Sequence, residues 1–255
     1  MIKLQNISYA YKGQGMAVEN VSAHFEKGRV TTILGPNGCG KSTLLKLING
    51  LLTPTSGEIF LDGENAASIK IKARAKKMAL LAQTHQPPDI PVEELVAYGR
   101  YPHLKFGQSP TAVDRALVDS ALSQVHAQEF RTRRLTSLSG GQRQRAYIAM
   151  ALAQDTPLIL LDEPTTYLDV SIRYDIMDLV KKLNQKGKTI IMVLHDLELA
   201  LEYSDTILLM KKGRIQTQGS PEDVIRTGLL DTVFKVHTLT FQKDGRTYYH
   251  FAKSV

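Results

Sequence analysis

The sequence predicts an α/β fold with a doubly wound core, a β-rich opening section and an inserted helical block. Three observations predict it. Apolar runs of strand length alternate with helical patterns along the chain. A glycine-rich turn joins one such run, Val30–Leu34, to the helical run Ser42–Ile48. From about Pro91 to Ala153, helical patterns persist with few strand signals.

Taken in order, Ile2–Tyr9, Ala17–Phe25 and Gly57–Leu61 read as short strands, separated by turns such as Glu26-Lys27-Gly28. Val30–Leu34 is continuous and apolar-leaning, as a buried strand is. Ser42–Ile48 stops at Asn49-Gly50, a pair that ends helices because glycine takes the left-handed conformation there. Pro87-Pro88 and Pro91 punctuate the entry to the helical block. Strand runs return at Leu158–Leu161, Ile190–Leu194 and Thr206–Leu209, with a helix pattern at Ile172–Leu183. The expected organisation is one domain over 2–237, with its core in 1–84 and 155–225 and its helical subdomain in 85–154. Residues after about Arg226 read as a short tail, which the domain boundary places at 238–255.

The 255 residues suffice for a sizeable core, and 43% hydrophobic with 22% charged is an ordinary globular composition. No apolar run approaches the roughly 18–20 residues of a membrane-spanning helix. Met1–Asn6 lacks the apolar stretch of a secretory signal. A chain of this kind that serves a membrane is expected to dock onto other subunits. Cys39 is the single cysteine, which excludes an intrachain disulfide and fits a reducing compartment. The net charge of +7 and pI near 9.3 suit nucleic acid, anionic lipid or an acidic partner. The basic residues are scattered, however, apart from Lys70–Lys77 and Arg131–Arg134. Neither run is interleaved with the aromatics that single-strand binding uses.

Three motifs carry chemistry. Gly35-Pro36-Asn37-Gly38-Cys39-Gly40-Lys41-Ser42-Thr43 matches G-x-x-x-x-G-K-[ST] between a strand and a helix. Glycines let backbone N–H groups turn inward around phosphate oxygens, and the helix N-terminus adds partial positive charge. Lys41 is expected to reach the β- and γ-phosphates and Ser42 to hold Mg²⁺. Cys39, at the same helix start, is expected to favour its thiolate. Leu158–Leu161 ends in Asp162-Glu163, which sets carboxylates at the edge where open α/β sheets bind ligands. Asp162 would orient the Mg²⁺ shell and Glu163 would polarise the attacking water. Leu138-Ser139-Gly140-Gly141-Gln142 then supplies a second phosphate nest at a helix start. A chain with one lysine-bearing loop uses two nests if each second nest closes over the phosphate held by a partner chain.

On these motifs the sequence resembles the ATP-binding cassette (ABC) family over nearly its whole length. The resemblance implies a P-loop ATPase core with an N-terminal antiparallel β subdomain and an inserted helical signature subdomain, using ATP and Mg²⁺. It makes Gln83 the Q-loop glutamine, a sensor of Mg²⁺ and nucleotide, and Ser139–Gln142 the signature. Asp169 becomes part of the D-loop crossing a dimer interface, and His195 the switch histidine contacting the γ-phosphate. An aromatic ring upstream of the phosphate loop stacks on adenine in this family. Tyr11 is the first choice and Tyr9 the second, since strand alternation places both on one face.

Gly99-Arg100-Tyr101-Pro102-His103, Asp162–Asp169 and Arg145–Met150 further resemble the ATPases of iron–siderophore, haem and cobalamin importers. Most other branches have serine where Thr166 stands. The expected partners are a second copy, two transmembrane permease subunits and, through them, an external substrate-binding protein, with no nucleic acid. The expected place is peripheral, on the cytoplasmic face of the cell membrane. Thr84–Pro91 and Gly99–His103 are the expected floor of the groove that receives a permease helix. The alternatives are a soluble ABC ATPase acting on nucleic acid or ribosomes and an exporter motor. The former usually carry coiled-coil insertions or fused cassettes, and the latter are often fused to a membrane domain.

Overall fold

The computed structural model describes residues 1–13, 15–82, 87–105, 107–166, 168–243 and 245–253. In chain order come strands β1 (Ile2–Ala10), β2 (Met16–Phe25) and β3 (Val30–Leu34), helix α1 (Lys41–Asn49), and strands β4 (Ser56–Leu61) and β5 (Glu64–Asn65). Next are α2 (Ile71–Ala75), β6 (Met78–Leu81), α3 (Val92–Tyr98), α4 (Ala112–Gln124) and α5 (Gly140–Ala153). β7 (Leu158–Asp162), α6 (Val170–Gln185), β8 (Thr189–Val193), α7 (Leu197–Tyr203), β9 (Thr206–Lys211) and β10 (Arg214–Gly219) follow. Helices α8 (Pro221–Arg226) and α9 (Leu229–Phe234) precede the hairpin β11 (Val236–Lys243) and β12 (Arg246–Lys253). The chain divides into two compact units: Met1–Ile69 with Thr189–Val255, and Lys70–Lys188.

The first unit opens with an antiparallel sheet in the order β2-β1-β4-β5. Ile2 and Leu4 alternate inward along β1 and are each 1% exposed. Simple alternation would then turn Ile7 outward, yet it is fully buried. The register shifts between Leu4 and Ile7, and Asn6 takes a left-handed φ of 50°, so a bulge re-aims the strand. In the same unit β3 lies between β8 and β9 and parallel to both, with β10 antiparallel on β9. All five residues of β3 and all five of β8 are buried, which is why threonine is the one polar residue type among their Val, Ile, Leu and Met. α1 stops at Gly50, whose φ of 83° lets its N–H bond back to the Lys46 and Leu47 carbonyls.

In the second unit β6 and β7 pair in parallel, Met78 beside Leu158, and α5 packs against both α3 and α4. Asn65, Thr111, Ser139, Asp196 and Ser220 each accept a backbone N–H at a helix start, the usual work of such residues. The stretch Gly99–His103, expected as part of a groove floor, makes contacts into its own unit. Arg100 is only 6% exposed. Its Nε donates to Asp114 Oδ1 at 2.9 Å, and a second guanidinium nitrogen donates to the Ala153 carbonyl at 2.7 Å. His103 Nε2 lies 2.9 Å from the Gln154 carbonyl. A Cβ on Gly99 would fall 2.3 Å from the Met150 carbonyl. The stretch therefore clamps the C-terminal turn of α5, satisfying carbonyls that a helix end leaves orphaned. Of its side chains, Tyr101 is the one fully open to solvent, at 57%.

The segment read as a tail is ordered as a hairpin. β11 and β12 pair antiparallel from Val236↔Lys253 to Lys243↔Arg246, and β12 packs against α7.

Candidate nucleotide site

The phosphate loop belongs to the first unit. β3 ends at Leu34, the chain turns through Gly35–Gly40, and α1 begins at Lys41. Two of the glycines are required by close approach. Gly35 has φ 155°, and a Cβ there would sit 2.3 Å from the Met210 carbonyl oxygen. Gly40 has φ 104°, and its Cβ would sit 2.2 Å from the Ala17 carbonyl oxygen. Gly213 N–H donates to the Cys39 carbonyl at 3.0 Å, so the β9–β10 turn supports the loop from beneath. The motif alone gives no sign of that support or of the close approach of Ala17.

Gly40, the N-cap of α1, makes no side-chain cap bond, and a helix start of this kind suits an anion. Lys41 is 4% exposed, and its ammonium donates to the Gly35 carbonyl at 2.7 Å and the Pro36 carbonyl at 3.2 Å. Ser42 and Thr43 follow in the first turn of α1. Tyr11 Oη lies 3.2 Å from Thr43 Oγ1, and the Tyr9 and Tyr11 rings meet edge to face at 5.0 Å. The two tyrosines thus form one aromatic corner, with Tyr11 on the α1 side. Cys39 is buried, and that burial raises its thiol pKa against the opposing pull of Lys41. The expected thiolate is therefore not favoured: desolvation outweighs the helix start.

His195 is exposed just beyond β8. β3 and β8 are parallel with Ile33 beside Val193, so Gly35 and His195 leave the same sheet edge. Gln83 lies outside the described residues, as do Thr84, His85 and Gln86 of the expected groove.

The acidic and signature residues belong to the second unit. β7 is buried along its length and ends in Asp162, itself 5% exposed. Glu163 follows in a left-handed conformation, φ 54°, which turns the chain sharply off the strand. Leu168 is buried and Asp169 is the N-cap of α6. Ser139 and Gly140 are exposed at the start of α5. Ser139 Oγ accepts from the Gln142 N–H at 3.3 Å, and the Gln142 side chain accepts from the Ser139 N–H at 3.2 Å. That cap uses an oxygen lone pair and leaves the Ser139 hydroxyl proton for another acceptor. Gly141 is buried with Ile172 of α6 beside it.

No helix among the described residues is long and apolar enough to cross a membrane. Among the same residues, no group of three or more His, Cys, Asp or Glu could hold a metal by itself. Mg²⁺ bound with a nucleotide needs no such cage, since phosphate oxygens complete its shell. Hydroxyl and carboxylate oxygens are hard donors of the kind Mg²⁺ takes, and Ser42 and Asp162 carry one such group each.

The strand, glycine loop and helix define a P-loop nucleotide-binding protein. The model of the ABC transporter family matches residues 18–166. The petrobactin import ATP-binding protein FpuC of Bacillus anthracis is 41% identical, over 98% of this chain and 92% of that protein. The ferric enterobactin transport ATP-binding protein FepC of Escherichia coli is 42% identical, over 87% of this chain and 83% of that one. Among solved structures, the dimeric post-hydrolysis state of the ATP-binding cassette MJ0796, bound to ADP and Pi, superimposes with a TM-score of 0.78. It is 32% identical, covering 87% of this chain and 99% of that one. The chain belongs to the ABC transporter family. It is an ATP-binding cassette ATPase whose activity is coupled to transport.

Proposed function

We propose that this chain is the motor subunit of an importer for a metal chelate of the iron–siderophore, haem or cobalamin type. Two copies close on two ATP molecules, hydrolyse them and reopen. Two permease subunits follow that cycle, fed by an external substrate-binding protein, with the motor held peripherally at the cytoplasmic face. The observation that carries the reading is the presence of two differently built phosphate nests in one chain. One bears Lys41; the other is the exposed, self-capped start of α5. Relatives named for petrobactin and enterobactin align along most of the chain and supply the cargo class.

In this reading Lys41 and the N–H groups of 35–43 bind the phosphates, Tyr11 stacks on adenine, and Ser139–Gln142 act on the partner's nucleotide. Ser42, Asp162 and Gln83 would hold Mg²⁺, which would supply neutralisation of phosphate charge when bound. Glu163 accepts the proton of the attacking water, His195 contacts the γ-phosphate, and Asp169 crosses between copies. Catalysis is positioning and charge stabilisation, with no covalent intermediate on the protein.

The test uses the complex purified with its permeases in lipid. Its ATPase should rise when binding protein loaded with ferric siderophore, haem or cobalamin is added. Stimulation by an unrelated solute, with none from these three, would sink the cargo class and leave the motor standing.

A further inference from the structure

Glu163 stands in a turn whose geometry is fixed by groups the proposed mechanism does not use. Its φ of 54° is costly for a side-chain-bearing residue by about 1 kcal/mol or more, so surrounding contacts must hold it. Hydrogen bonds between described residues contribute to this. Thr166 N–H closes the turn onto the Glu163 carbonyl at 3.3 Å. Thr166 Oγ1 donates to Glu163 Oε2 at 3.1 Å. Gln144 Nε2 donates to the carbonyl of Pro164, the next residue, at 2.9 Å. Pro164 and Thr165 are themselves buried, so the turn has little room to relax.

We infer that Thr166 and Gln144 are positioning residues that aim the Glu163 carboxylate, and that Gln144 ties this aim to the signature helix. The inference rests on the reading of Glu163 as the residue that meets the attacking water. A hydroxyl donating to Oε2 restrains the side-chain torsions and so fixes where the carboxylate points. Gln144 lies about one turn into α5, whose N-cap and first residues are the signature Ser139–Gln142. A shift of α5 along or about its axis is passed to the Pro164 carbonyl and so to the peptide that carries Glu163. The signature helix and the glutamate are therefore joined inside one chain, by a bond to backbone.

The test measures kcat and KM for ATP on the full-length protein, with thermal melting and nucleotide binding as controls. Thr166→Val should lower kcat about tenfold while KM stays within about twofold, because the lost interaction matters at the chemical step. Thr166→Ser should restore the rate, since it keeps the hydroxyl. Gln144→Leu, similar in size and without a donor, should also lower kcat and leave KM unchanged. In a Glu163→Gln background neither change should lower the residual rate further, as expected of residues acting through one group.

Thr166→Ser as slow as Thr166→Val, or a fall in melting temperature that accounts for the lost rate in all the variants, would overturn the positioning role. A separate outcome strikes the underlying reading. If Glu163→Gln hydrolyses ATP near the normal rate, Glu163 is not the residue at the water. If Glu163→Gln is inactive and Thr166→Val is normal, the glutamate stands and the positioning inference falls.

Discussion

Helices α1 and α5 both start at glycine-rich loops, yet they are held by opposite means. α1 is fixed by backbone. Its N-cap is Gly40 in a left-handed conformation, pressed against the Ala17 carbonyl, with the Gly213 N–H under the loop. α5 is fixed by side chains at both ends: Ser139 and Gln142 cap its start, and Arg100 and His103 bind its last carbonyls. A Cβ on Gly140 would meet nothing within 4 Å. A nest held by backbone contacts is rigid, because rotation of a side chain does not loosen it. A side-chain-built helix start is exposed and can adjust, which suits a surface that meets another molecule's nucleotide.

Breaking the far end of α5 should have the largest effect on stability. Arg100→Met leaves Asp114 buried without its ion partner and should cost about 3–5 kcal/mol, read from the midpoint of urea unfolding. A loss below about 1 kcal/mol would mean that α5 is not held from that end. The same pair sets an acid limb. Bonds from Thr111, then the Arg100 guanidinium, lower the Asp114 pKa from 3.8 to about 2. A depressed folded-state value contributes stability that is complete above the unfolded value and is lost as pH falls through about 2. Asp114→Asn should therefore be less sensitive than wild type between about pH 4 and pH 2.

The contrast between the two glycines comes next. Gly40→Ala combines left-handed strain with a clash against backbone and should cost about 3 kcal/mol or more, with loss of ATP binding. Gly140→Ala should change stability by less than about 0.5 kcal/mol, while hydrolysis falls if a partner's phosphate docks there. Equal destabilisation by the two changes would erase the distinction drawn here.

A smaller effect than that of Gly40 belongs to the cap. Ser139→Ala should cost about 1 kcal/mol of stability, read by thermal melting, because the Gln142 N–H loses its acceptor. The same substitution should lower hydrolysis by more than that stability loss explains. If its activity is unchanged, Ser139 is a cap and nothing further.

The strands and the phosphate loop were legible because their signals are local. Ile190–Leu194 is apolar throughout, Val30–Leu34 is interrupted only by Thr31 and Thr32, and Asn49-Gly50 stops α1 as its chemistry requires. Arg100 was not legible. A charged residue beside Tyr-Pro reads as surface, and its partners stand at Asp114 and Ala153, beyond any local window. Cys39 was misread for a related reason: the helix start is visible in sequence, whereas the burial that outweighs it is not. The C-terminal hairpin did leave a trace. Asp244-Gly245 stands between two segments with strand-like residues, a strong hairpin signal that the word tail passes over.

The division of the chain also orders its manufacture. The second unit is a single continuous stretch, whereas the first is written in two instalments on either side of it. β3 is made early, but both of its neighbours, β8 and β9, are encoded after the entire intervening unit. At roughly 5–20 residues per second of synthesis, that interval lasts on the order of ten seconds. Throughout it the phosphate loop has its glycines and its lysine, yet lacks the Met210 and Gly213 backbone that shapes it. A ribosome-bound chain therefore acquires its nucleotide nest only after the whole second unit has been made.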